Sequence, residues 1–84
     1  MQTQPGTFEC VIVDKDGFWH VTTTRNSVIA LLQDSQTAKV NVWAGKTLLR
    51  TYVRMSWAVK FMQHIPSKAV ELTVYTKESF NCGN

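Results

Sequence analysis

The 84-residue sequence predicts an α+β domain of ββαββαβ order, a mostly antiparallel five-stranded sheet with two short helices on one face. Three observations carry this expectation. Runs of β-branched and aromatic residues, bounded by turn signals, alternate with two segments of helical apolar spacing. Displacing the chain by 29 residues lays Val11, Val13, Thr22, Arg25 and Ser27 on Val40, Val42, Thr51, Arg54 and Ser56, so each half reads strand, turn, strand, Arg-x-Ser, helix. A hydrophobic content of 44% with four Phe, three Trp and two Tyr is enough to build a core, which argues against disorder.

The elements follow in order. Residues 1–6 carry Pro5-Gly6 and read as a flexible lead-in to a single domain over 7–79. Phe8–Val13 is a strand, and Asp14-Lys15-Asp16-Gly17 turns it, because glycine accepts positive φ without steric penalty. Residues 18–24 return. Asn26 or Ser27 caps a helix whose stripe is Val28, Ile29, Leu31 and Leu32, ending near Asp34-Ser35. Residues 38–43 and 47–53 form a second hairpin about Ala44-Gly45-Lys46. Ser56 caps a helix over 57–65 that Pro66 ends, with Trp57, Ala58, Phe61, Met62 and Ile65 on its apolar face. Residues 69–76 make the last strand, and 80–84 form a second flexible tail. The expected core gathers Val40, Val42, Leu49, Val53, Phe61, Ile65, Leu72 and Val74.

Charge is unevenly spread. Residues 1–37 set Lys15 and Arg25 against Glu9, Asp14, Asp16 and Asp34, a net of −2. Residues 38–84 set Lys39, Lys46, Arg50, Arg54, Lys60, Lys68 and Lys77 against Glu71 and Glu78, a net of +5. The basic half suits phosphate or an acidic protein. The longest apolar run, Val28–Leu32, is far too short to span a bilayer, and no charged-then-apolar leader opens the chain. Two cysteines are too few for a disulfide scaffold; a buried Cys10 thiol and a tail Cys82 fit a reducing cytoplasm. Small basic chains without catalytic signatures are frequent among phage and mobile-element accessory proteins, a compositional expectation for this one.

Alternation then defines a sheet face left open by the helices. Val40, Val42, Leu49, Thr51, Val53, Val70, Leu72 and Val74 point to the helices. Lys39, Trp43, Arg50, Tyr52, Arg54, Tyr75 and Lys77 point away, putting three aromatics and four basic side chains on one surface, beside Leu48, Glu71 and Thr73. Aromatic rings stack on bases and Lys or Arg neutralises phosphates, so single-stranded nucleic acid is one expected partner. The architecture resembles the ferredoxin-like sheet of the RNA-recognition-motif class, although that family's Gly-aromatic-Gly-Phe-Val octapeptide is absent and the first strand is extra. Trp, Tyr and Arg are equally the residues of protein interfaces, so the same face serves an interaction or inhibitory module, including a homodimer, as the alternative.

Enzyme signatures are set aside, and no cofactor is expected. Gly45-Lys46-Thr47 ends like a phosphate loop, but Asn41 stands where its first glycine belongs and a strand follows. Asp14 and Asp16 lack further acidic ligands and read as turn residues. His20 and Cys10 across the first hairpin show no activating group. The segment 52–79 is faintly similar to the helix-then-strand passage of the ribonuclease H fold. Ser56 and Lys77 occupy the positions of that family's metal-binding carboxylates, so no activity is carried over.

Overall fold

A computed structural model describes residues 6–66 and 70–81. The elements are β1 (Thr7–Asp14), β2 (Gly17–Thr24), α1 (Arg25–Gln33), β3 (Thr37–Ala44), β4 (Thr47–Tyr52), α2 (Met55–Met62), β5 (Glu71–Thr76) and α3 (Lys77–Asn81). The expected ββαββαβ order is present, with α3 added where the sequence suggested the end of a strand and a tail. Of the ends expected to be flexible, 1–6 and 80–84, residues 80–81 belong to α3, while 1–5 and 82–84, Cys82 among them, lie outside the described residues.

The sheet order is β2-β1-β5-β3-β4. β5 pairs parallel with β1 and antiparallel with β3, so it lies between two hairpins whose inner strands run in opposite directions. The first hairpin turns through Lys15-Asp16, where the Asp16 N–H donates to Asp14 Oδ1 at 2.8 Å and Gly17 takes φ +135°. Asp14 thus spends its carboxylate on the turn. The second turns at Gly45, φ +62°, and runs straight into β4, a hairpin turn rather than a phosphate loop.

One core joins the helices to the sheet. Phe8 and Cys10 of β1, Val40 and Val42 of β3, and Leu72 and Val74 of β5 meet Val28 and Leu32 of α1 and Ala58 and Met62 of α2. Cys10 is a free thiol whose pKa is raised to about 11, chiefly by burial and secondarily by Glu9. His20 lies opposite Val11, so it belongs to the other sheet face and forms no pair with Cys10. Arg25 opens α1 and reaches to the end of α2. Its guanidinium donates to the carbonyls of Met62 and Ile65, the latter at 2.6 Å, and stacks 5.3 Å from the Phe8 ring centroid.

Three expectations need correction. The repeat interval is 30 residues, because β1 and β3, β2 and β4, and α1 and α2 each start 30 positions apart. That offset lays buried on buried: Cys10 on Val40, Val28 on Ala58 and Leu32 on Met62. The 29-residue identities instead matched Val11, on the open face, to buried Val40. Second, the caps lie elsewhere. Thr24 caps α1, its side chain accepting from the Ser27 N–H at 3.2 Å. α2 starts at Met55, behind Arg54 and with no side-chain cap, so Ser56 sits inside its first turn. The chain bends at 53–54, before Ser56 could serve. Third, Leu49 and Val53 are 54% and 71% exposed, outside the core, and Trp57 is 62% exposed on α2. Phe61 is only half-buried against the core.

The cause of the Leu49 error is a β-bulge. Val42 pairs with Arg50 and Trp43 with Leu48, leaving Leu49 as an extra residue. An extra residue inverts the side-chain alternation beyond it. Leu48 keeps its expected face, whereas Thr51 moves to the open face and Arg50 and Tyr52 swing to the helix side.

Candidate interaction surfaces

The open sheet face is built in three rows across the strands. Phe18, Val13, Tyr75 and Lys39 make the first; His20, Val11, Thr73, Asn41 and Thr51 the second; Thr22, Glu9, Glu71, Trp43 and Leu48 the third. Side chains within it are already engaged. Lys39 Nζ lies 4.4 Å from the Tyr75 ring centroid. Trp43 Nε1 donates to Thr73 Oγ1 at 3.0 Å, and Thr51 Oγ1 donates to Asn41 Oδ1 at 2.7 Å. Both Glu9 carboxylate oxygens accept from Thr22 Oγ1 at 3.1 Å.

Of the seven expected site residues, this face assembles Lys39, Trp43 and Tyr75. Arg50 and Tyr52 are on the opposite side, for the reason given by the bulge. Arg54 stands at the start of α2, and Lys77 begins α3, its N–H donating to the Gln36 carbonyl at 2.7 Å. The open face therefore carries one of the four expected cations, and Trp43 shares its row with two carboxylates. Glu9 and Glu71 are register partners across the parallel pair. A phosphate placed beside Trp43 would meet them, an unfavourable Coulomb contact.

The displaced residues form a second surface at the β4–α2 edge. The Tyr52 ring packs 5.4 Å from Phe61, and the Arg50 guanidinium lies 5.6 Å from the Tyr52 centroid. A shallow groove beside them is lined by Arg50, Thr51, Tyr52, Val53, Arg54 and Trp57, and continues along α2 past Lys60 and His64. Arg50, Arg54 and Lys60 are exposed. So are Leu48, Leu49, Val53 and Trp57, at 47%, 54%, 71% and 62%. The sequence runs from residue 35 to 70 without an Asp or Glu, so the groove has no local counter-charge from its own segment.

Sequence reasoning missed Trp57, Leu49 and Val53 as surface residues. Helical spacing put Trp57 on the core stripe, but Ala58 and Met62 fill the space against the sheet and leave the indole outside. The acid-free run was the available signal. Among the described residues no three His, Cys, Asp or Glu side chains gather as a metal site, and no helix is long and apolar enough to cross a membrane. Comparison with protein-family models, curated proteins and solved structures finds no match to this chain.

Proposed function

We propose that this chain is a small binding module that docks an acidic protein partner on its β4–α2 edge. The observation that carries the reading is the coincidence, at one sheet edge, of exposed apolar side chains with an acid-free set of cations. Exposed Leu48, Leu49, Val53 and Trp57 supply area that a partner can desolvate, at about 25 cal/mol per Å² buried. Arg50, Arg54 and Lys60 select for negative charge and speed encounter.

Single-stranded nucleic acid is the second reading, moved from the open face to this edge. It is favoured by the acid-free run and by Trp57, an exposed ring available for stacking. The aliphatic residues weigh against it, since Leu48, Leu49 and Val53 offer a phosphate chain nothing. NMR titration of the labelled chain separates the two. A short peptide of alternating Glu and Val is expected to shift resonances of residues 48–61 and to hold at moderate salt. Tighter binding of an oligothymidylate, with a log–log salt slope of about −2 for three neutralised phosphates, would transfer the function to nucleic acid. Silence of the edge toward both probes would refute both readings.

A further inference from the structure

We infer that the occupant of this edge is an extended acidic segment that pairs with β4 as the next strand of the sheet. The inference rests on the proposal that an acidic protein docks here and specifies how it does so. β4 ends the sheet order, so one row of its backbone N–H and C=O groups faces outward with no strand beside it among the described residues. Such a row is satisfied by a partner strand, as in other β-addition complexes, where backbone bonds supply affinity and alternate side chains supply specificity.

The neighbouring side chains determine what that strand carries. A strand laid beside β4, about 4.8 Å away, directs every second side chain toward the α2 side. There it meets Arg50 and the groove lined by Trp57 and Lys60. Carboxylates at alternate positions fit that side. The intervening side chains fall on the other face, beside Leu48 and Thr51, where apolar or threonine side chains fit. The occupant is thus an acidic–apolar alternation, a pattern distinct from a block of acids.

Charge also argues against a second copy as the occupant. Joining two β4 edges brings two sets of Arg50, Arg54 and Lys60 together with no acid from residues 35–70 between them. Like charges facing one another across paired strands are destabilising. The cations protect the edge from self-pairing and leave it complementary to an acidic strand.

The test uses the intact chain and four peptides of one amino-acid composition: Glu-Val alternating, two versions of that alternation N-methylated at every second residue, and a Glu block followed by a Val block. N-methylation is placed in turn on each of the two alternate sets, so that one version removes the donors facing β4. The alternating peptide is expected to bind, to slow exchange of the outward amides within 47–52, and to lose at least tenfold in affinity in one N-methyl version and in the block peptide. Arg54→Glu is expected to weaken it by a similar factor without unfolding, since no cap hydrogen bond is removed. Equal binding of both N-methyl versions would overturn strand pairing and leave the acidic-partner reading standing. Oligothymidylate binding with no response to any peptide would overturn both. A concentration-dependent dimer with protected β4 amides and no added peptide would overturn the acidic occupant in favour of a second copy.

Discussion

Replacing Arg25 with methionine tests the joint between the two helices. The methionine keeps the apolar stem and removes the guanidinium that holds the Met62 and Ile65 carbonyls and lies over Phe8. A hydrogen bond to a charged group contributes about 1.5–3 kcal/mol, and the cation–π contact adds about 0.5–1 kcal/mol. These terms share one side chain and are not additive. Water reaches part of the site and can satisfy the carbonyls after substitution. The expected loss is therefore about 3 kcal/mol. With a urea m-value near 1 kcal/mol/M for a domain of this size, the unfolding midpoint falls by about 3 M. Arg25→Lys keeps the charge but not the two-pronged geometry, so it should fall between the other two. An Arg25→Met midpoint within about 0.5 M of the parent would show that α1 and α2 are held by apolar packing alone.

Other expectations follow from the same structure. Thr24→Ala should lose about 1 kcal/mol in urea titration, whereas Ser56→Ala should change little, because α1 has a side-chain cap and α2 has none; equal losses would refute the cap assignment. Leu72→Ala should cost about 3–5 kcal/mol and Phe61→Ala about half as much, since Leu72 is buried and Phe61 is not; the reverse order in thermal melts would refute the packing described. The Cys10 thiol has its folded pKa raised from 9.0 to about 11, so folding favours the protonated form. Its contribution is complete below pH 9 and declines as the pH rises toward 11. Subtracting the pH profile of Cys10→Ala from that of the parent should isolate this fall, and a flat difference would disprove it.

Most of the fold was legible because its signals are local. Asp16-Gly17 marks one hairpin, Val40 and Val42 alternate correctly, and Val28 and Leu32 recur at helical spacing. The candidate site was legible only in part, because it depends on register. The bulge at Leu49 leaves no trace in a run of TLLRTYV, where alternation reads equally well with either set inward. One extra residue exchanged Thr51 for Arg50 and Tyr52, and with them moved the cation cluster from one side of the sheet to the other. The 29-residue identities compounded this, since chance matches at Val40 and Val42 outweighed the burial pattern that shows the interval of 30. Trp57 was misplaced for a different reason: hydrophobicity reports what a residue prefers, while the room beneath α2 was already taken by Ala58 and Met62.

The position of β5 bears on how the chain reaches this state. Each ββα unit can form from neighbouring residues, but β5 joins them through partners far away in sequence, Glu9 with Glu71 and Val40 with Val74. Closing such long loops is slow, and the parallel pairing with β1 has no turn to guide it. The topology thus predicts that insertion of the C-terminal strand between the two hairpins is the late event in folding. Until that strand arrives, β1 and β3 each present an open inner edge, with Cys10, Val11, Ile12 and Val13 on β1 and Val40 and Val42 on β3. At high concentration the β5 of a second chain can fill the slot first, so slow refolding and strand-exchanged dimers should rise together with protein concentration.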